Sequence, residues 1–434
     1  MTSIRYLKLH LHTPARERRA VGFLSQFGDV TRVTFDAAYI EDEARPTLSL
    51  AYRGQTDLDT RTILGAVRDD RLTRSDAHFP TWFQNLLPEG HNRQRLARER
   101  GCAEDDELEL LAAAGHDLFG AVELEPVPPA AGIPEPVRMW HAAMGLDVLE
   151  PSAVEPPVED AASLPGVVTK FSAIKEGHRY VVKRHGEAGS YILKLPSARH
   201  PDLVDNELTG YRLASALGLC CAEATRVARR DAELPEALDF PHVLAVKRFD
   251  RGPNQLRIHM EEFAQVLQLP PGKKYGSGVM VDTPRMLSVL DRLSADPNGD
   301  VREMVVRFVA FILMGNTDAH LKNWALVYPD GVTPRLSPLY DPVCVAAWFD
   351  ELPPAEYALN RKIDRELSGF GWGNLGTLLR RAQIARVSRL IAIAKEAVRR
   401  AQSQWPALLV DAPDNVRRSV SGRLAGGVRL TADL

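Results

Sequence analysis

The stretch GNTDAHLKNW, residues 315–324, decides how this chain is read, because it follows a long apolar run, VREMVVRFVAFILM (301–314). The run has the length and composition of a buried helix, and a glycine stands straight after it. Asp318, His320, Lys322 and Asn323 then stand within six residues. Asp and Asn are common beyond helix ends because they cap and turn the backbone, so D-x-x-x-x-N has a plain structural reading beside a chemical one. A zinc site on Asp318 and His320 lacks a nearby His or Cys to complete a tetrahedron.

The surrounding chain favours chemistry. A second carboxylate, Asp341 in LSPLYDP (336–342), follows WALVYPDGVTPRLSPL (324–339), a segment able to form a hairpin. Upstream, SYILKLPS (190–197) reads as a strand with Ile192 and Lys194 on one face. Glu207 lies thirteen residues after Lys194, in an expected helix over about 203–217. A strand lysine, a helix glutamate, D-x-x-x-x-N and a later Asp follow the order of a protein-kinase-like site. Transfer of a phosphoryl group from ATP needs such a set. Asp318 would orient the attacking hydroxyl and take its proton, while Asn323 and Asp341 would offer hard oxygens to Mg²⁺. Taken singly, Lys194 is equally a lysine lying along an edge strand into solvent, so the order of four elements carries the reading.

The phosphate loop departs from the usual kinase pattern. There is no G-x-G-x-x-G, and Gly315-Asn316-Thr317 stands where H-R-D would precede the catalytic Asp. SLPGVVTK (163–170) offers Ser163, Pro165, Gly166, Val167, Val168, Thr169 and Lys170, which could turn sharply and present N–H groups to phosphates. The same residues could form a type II turn entering a strand.

Around these motifs the chain divides into four parts. Residues 1–125 read as a small α/β unit: RYLKLHLH, AVGFLS, VTRVTF and TLSLAY are strand-like, followed by helical WFQNLLPEGHNRQRLARERG with Gly101 as its stop. Residues 126–162 are rich in Pro and Ala and read as an extended connection. Residues 163–255 form a β-rich small lobe opening with an antiparallel meander, and 256–434 a helical lobe with the catalytic loop. The fold expected is α+β: a two-lobed protein-kinase-like body, with a small β-rich and a large all-α lobe, behind a small α/β domain.

The 434 residues allow two or three domains, and a net charge of −3 excludes a strongly basic nucleic-acid binder as the whole-chain reading. Four cysteines, two of them adjacent, make neither a disulfide framework nor a zinc spacing, which points to reduced thiols. The N-terminus lacks a signal-peptide h-region, and the apolar run ending at 315 is too short to cross a bilayer, so a cytoplasmic protein is expected.

The sequence resembles the HipA family, the serine/threonine-kinase toxins of bacterial HipA/HipB-type toxin–antitoxin modules. The matching stretches are WFQNLLPEG (82–90), SLPGVVTK, SYILKLP, VKRFDR (246–251), HMEEFAQVLQLPPGKKY (259–275), GNTDAHLKNW and LSPLYD, in the family's order. The resemblance implies that Asp318 is catalytic, that Asn323 and Asp341 bind Mg²⁺, and that Lys194, supported by Glu207, contacts ATP phosphates. It places His320, Lys322 and Tyr340 with the nucleotide, and makes VKRFDR the hinge, with backbone from Lys247 to Phe249 facing the adenine. It makes Ser163 the autophosphorylation position, whose modification ejects the loop and inactivates the kinase; added negative charge beside the ATP phosphates is a physical reason. Val168 departs from the family, which usually has Gln there.

The resemblance also implies partners: a small helix-turn-helix antitoxin, operator DNA reached mainly through it, and as substrate an aminoacyl-tRNA synthetase such as glutamyl-tRNA synthetase. Arg380, Arg381, Arg386, Arg389, Arg399 and Arg400 in 376–402 form either a phosphate-facing surface or a solvated amphipathic face. Two other readings stand beside the kinase toxin. A small-molecule phosphotransferase shares the Asp-x4-Asn layout but not WFQNLLPEG or HMEEFAQVLQLPPGKKY. A pseudokinase acting as corepressor fits the altered loop but not the intact Asp318, Asn323 and Asp341.

Overall fold

The computed structural model describes residues 3–434 apart from 147–149, 165, 167, 183 and 235–239. Five strands open the chain: β1 (Ile4–His12), β2 (Arg18–Phe27), β3 (Val30–Phe35), β4 (Thr73–Arg74) and β5 (Val122–Pro126). They pair antiparallel in the order β4-β3-β2-β1-β5. Leu7, Leu9 and Leu11 of β1 are buried with Trp82, Phe83, Leu108 and Leu111 from the helical turns that cover the sheet. The helix Gly90–Arg100 stops at Gly101 with φ 73°, a left-handed angle that glycine takes without cost.

TLSLAY is not a strand. It makes a single 3₁₀ turn, Leu50–Tyr52, in which the Ser49 side chain accepts from the Ala51 N–H. The Leu50 N–H donates to Glu261 Oε1 at 2.9 Å, 211 residues further on. A carboxylate from the far lobe thus takes a donor that strand pairing would need.

The Pro-rich connection is also more structured than an extended linker. It holds a helix, Glu135–Ala143, entered through Pro134 and Pro136, whose missing N–H groups cost nothing at a helix start. Trp140 is buried there, donating from Nε1 to the Val67 carbonyl at 2.9 Å with the Arg32 guanidinium 4.7 Å above its ring.

The small lobe comprises β6 (Lys170–Glu176), β7 (Arg179–Val181), β8 (Tyr191–Lys194), β9 (Ala224–Ala228), β10 (Ala232–Glu233) and β11 (His242–Lys247). Their order is β10-β7-β6-β8-β11-β9, so β6 lies between β7 and β8 and the three do not form a sequential meander. The β7–β8 connection is anchored by the buried Arg184, which binds Asp117 and the Asp160 carbonyl, and the chain returns on the other edge of β6. The helix Leu203–Ala216 packs beside this sheet and meets the helical lobe at Gly210. A Cβ there would lie 1.7 Å from the Pro342 carbonyl oxygen, so glycine permits the close approach that sets Asp341 beside the helix.

The helical lobe packs Val279–Leu293, Trp372–Arg381 and Val387–Leu408 around the buried Pro297–Met314 helix. Gly315 ends that helix with φ 70°. The lobe also holds a small antiparallel sheet, β12 (His259–Glu262), β13 (Ala325–Tyr328) and β14 (Arg335–Leu336), so it is not purely helical and 324–339 does turn back as a hairpin. Among the described residues no helix is long and apolar enough to cross a membrane. The mixed, two-lobed body is kinase-like.

Candidate active site

A cleft of about 810 Å³ runs between the small sheet and the helical lobe, and Lys194, Asp318, Asn323 and Asp341 all line it. At its inner end Lys194 Nζ lies 2.6 Å from Glu207 Oε1 and 2.5 Å from Asp341 Oδ1. The edge-strand alternative is therefore excluded. Burial alone would strip the Lys194 proton, but the two carboxylates reverse that and hold it charged. Burial would likewise raise the Asp341 carboxyl, and Lys194 and Lys170 hold it well below the usual range. Asp341 takes a left-handed φ of 58°, with its N–H donating to Tyr211 Oη and its carbonyl accepting from Asn316 Nδ2, each at 3.3 Å. Strain held in place by surrounding bonds is a mark of functional backbone.

The residues after Gly315 turn tightly on themselves. Asn323 Nδ2 donates to the Asp318 carbonyl at 2.7 Å, which leaves its side-chain oxygen for a cation. Asp341 commits Oδ1 to Lys194 and lines the same cleft as Asn323. One amide and one carboxylate oxygen suit a hard divalent ion that keeps waters and phosphates as its other ligands. Among the described residues no three His, Cys, Asp or Glu side chains gather as a metal site. Asp318 Oδ1 accepts from the Tyr275 hydroxyl, and the Asp318 N–H donates to Asn316 Oδ1 at 3.1 Å. His320 lines the cleft edge-on to Tyr275 at 5.3 Å; burial lowers it to about 4, so its ring is neutral at pH 7.

Lys322 lines the cleft too, but its ammonium faces inward, 2.8 Å from Glu89 and 3.7 Å from Glu262. Lys274 also binds Glu89, at 2.9 Å. Burial would raise Glu89, yet the two lysines hold it at about 2, a firm carboxylate. Tyr340 donates to the Lys322 carbonyl at 2.8 Å and lays its ring 5.5 Å from that of Phe249. In the hinge, the Lys247 N–H goes to the Glu223 carbonyl and the Arg248 N–H to the Ser190 carbonyl. The Lys247 side chain pairs with Glu223 at 2.8 Å on the cleft's exposed edge.

The loop 163–170 frames the other wall. Gly166, Val168, Thr169 and Lys170 line the cleft, while Pro165 and Val167 lie outside the described residues. Gly166 has φ 97°, and a Cβ there would come within 2.5 Å of Lys170 Nζ. Ser163 is not in the lining: it is buried, its hydroxyl donating to the Leu86 carbonyl and its N–H to the Asp117 carbonyl.

Several residues that build this site carried no signal of their own. Asn92, 4 % exposed, donates from Nδ2 to the carbonyls of Val168 (2.9 Å) and Gly166 (3.3 Å) and accepts from the Lys170 N–H (3.1 Å). One side chain from the N-terminal unit thus holds three backbone groups of the loop. Asp117 is fully buried and binds Arg184 (2.6 Å), Arg248 (2.7 Å), Arg251 (3.2 Å) and Ser172 Oγ (2.6 Å), tying the N-terminal unit to the hinge and β6. Glu261 accepts from Ser49 Oγ, the Leu50 N–H, Trp82 Nε1 and the Tyr328 hydroxyl. In WFQNLLPEG, Glu89 was legible only as part of a motif.

Comparison with known proteins agrees with this architecture. Residues 15–125 match the HipA N-terminal domain, and residues 162–405 match the HipA-like C-terminal domain. A Sinorhizobium fredii protein named "Putative kinase Y4dM" is 33% identical over 383 residues, covering 87% of this chain and 86% of its own. A second protein of that organism, "Putative kinase Y4mE", is 29% identical over 365 residues, covering 79% and 84%. The fold is similar to that of HipA in the Shewanella oneidensis MR-1 complex of HipA, HipB and operator DNA, with a TM-score of 0.67 at 20% identity over 99% of both chains. Sequence matches thus span the unit that carries Asn92 and the lobes that carry Lys194, Asp318 and Asp341, and the chain belongs to the HipA family.

Proposed function

We propose that this protein is a serine/threonine-protein kinase that moves the γ-phosphoryl group of ATP to a protein hydroxyl, and that it acts as the toxin of a HipA/HipB-type module. The observation that carries the reading is the single cleft in which Lys194, bound by Glu207 and Asp341, lies along the same lining as the Asp318 carboxylate. Lys194 and Lys170 supply positive charge for phosphates, Asn323 and Asp341 would hold Mg²⁺, and Asp318 orients the incoming hydroxyl and accepts its proton. Mg²⁺ neutralises charge on the phosphates when bound.

The substrate proposed is an aminoacyl-tRNA synthetase such as glutamyl-tRNA synthetase, whose modification would halt translation and growth. The partner proposed is a small helix-turn-helix antitoxin that brings operator DNA. Arg386 and Arg400 support an indirect DNA contact, since Arg386 is bound to Asp291 and Arg400 to the Ala216 carbonyl. Autophosphorylation at Ser163 would require the buried segment to leave its bond to Leu86.

Incubated with radiolabelled ATP, the purified protein is expected to label itself or added synthetase in the presence of Mg²⁺ and to lose the signal in EDTA. Absence of labelling together with absence of Mg-ATP binding would overturn the kinase reading. A second expectation concerns the loop. Asn92→Asp replaces the amide that donates to two carbonyls with a buried carboxylate that repels them, so Mg-ATP affinity should fall about tenfold and the thermal midpoint should fall with it. Calorimetric titration checks this; wild-type affinity in the variant would show that the loop does not depend on Asn92.

A further inference from the structure

The geometry points to a docking site for an acidic, amphipathic segment of a partner protein, in a groove between the N-terminal unit and the Val279–Leu293 helix. The groove has a volume of about 1050 Å³ and shares no lining residue with the ATP-sized cleft. Four arginines line it, Arg53, Arg285, Arg292 and Arg381, and no Asp or Glu does, in a chain whose net charge is −3.

These arginines are exposed and little committed. The Arg53 side chain makes no hydrogen bond or ion pair among the described residues. Arg292 donates to the Gln383 side chain, and Arg381 to the Met280 carbonyl at 3.0 Å. Arg285 reaches Asp282 only at 3.5 Å, and Asp282 already accepts from the Ser277 and Gly278 N–H groups. A guanidinium without a carboxylate is open to bidentate pairing with one.

The floor between them is apolar, with Leu50, Met280, Val281 and Pro284 among its residues. Val281 and Leu293 are 47% and 37% exposed, large hydrophobic side chains left partly in water. Along the helix, Val281, Arg285, Ser288 and Arg292 recur at the spacing of one face. An apolar floor inside a charged rim is the anatomy of a protein interface. It fits a segment that buries apolar side chains against Val281 and Leu293 and sets carboxylates against the arginines. Duplex DNA would satisfy the arginines but presents a convex sugar–phosphate surface with nothing for the apolar floor to bury. The occupant would touch both units, Leu50 and Arg53 on one side and the helix on the other.

The test uses the full chain and a short fluorescent amphipathic peptide with leucines on one face flanked by glutamates. Binding followed by anisotropy should be saturable, weaken as salt rises, and fall at least about tenfold in the double variant Arg285→Glu/Arg292→Glu. Val281→Ser should weaken it independently through the floor. Both changes lie on exposed positions, and a thermal midpoint and Mg-ATP titration matching wild type confirm that the fold is intact. Equal binding of the peptide by the double variant, or of a lysine-for-glutamate peptide by the wild type, would overturn the assignment. So would binding of a short DNA duplex in place of the peptide. Nothing in this assay needs phosphoryl transfer, so its failure is separable from failure of the kinase reading.

Discussion

Replacing Asp318 by asparagine is expected to lower phosphoryl transfer from Mg-ATP by about 10²–10⁴-fold while leaving the protein folded and able to bind nucleotide. The change is nearly isosteric. Its side-chain oxygen can still accept from the Tyr275 hydroxyl, and the Asn316 bond to its backbone N–H is untouched. What it removes is the carboxylate proposed to take the proton of the attacking hydroxyl. Lys194, Glu207 and Asp341, at the inner end of the cleft, remain paired among themselves. Initial labelling rates, with nucleotide affinity and thermal midpoint measured alongside, separate these effects. Wild-type labelling by Asp318→Asn would remove Asp318 from the chemistry.

The largest effect on stability is expected at Asp117. Burial would raise its carboxyl, and Arg248, Arg251 and Arg184 instead hold it far below the usual range. Breaking a buried pair from one side leaves unpaired charge in a low-dielectric interior, at a cost of about 3–5 kcal/mol. Asp117→Ala leaves Arg184 with backbone carbonyls alone and strips Arg248 and Arg251 of one of their two carboxylate partners, Asp250 remaining. The denaturant midpoint should fall accordingly. Removing Glu233, whose pairing with Arg179 is solvent-exposed, should change it by less than about 1 kcal/mol and serves as the control. Equal small losses in the two variants would mean that water or rearrangement relieves the buried arginines.

What was legible in the sequence is what depends on order along the chain. Lys194, Glu207, Asp318, Asn323 and Asp341 stand in the succession that a phosphoryl-transfer site requires, and the structure brings all but Glu207 to one lining, with Glu207 directly behind Lys194. Gly101 was readable as a helix stop because helix termination is local. The parts that escaped depend on partners far away in the chain. TLSLAY has strand composition, but Glu261 claims its Leu50 N–H. In the small lobe β6 pairs with both β7 and β8, and the connection between those two is held by Arg184 on Asp117, 67 residues earlier. Asn92 sits in an ordinary polar helix and gains its role only because the loop lies against it. The prolines of 126–162 signalled an extended segment, whereas the buried face of Val137, Trp140 and His141 decided for a helix.

The arrangement around Glu89, Asn92, Asp117 and Glu261 bears on how the molecule can be taken apart. The two lysines on Glu89, the loop carbonyls on Asn92 and the three arginines on Asp117 all belong to the lobes, while the residues that satisfy them belong to the first unit. A chain cut near residue 160 would take Glu89, Asn92 and Asp117 away from those lysines, loop carbonyls and arginines. Arg248 and Arg251 would keep Asp250, and Lys322 would keep Glu262, as their remaining carboxylates, and the loop would lose its Asn92 brace. Exchange of the first unit between relatives should succeed only when all these complementary groups travel together, so the two halves behave as one interlocked body rather than as separable modules.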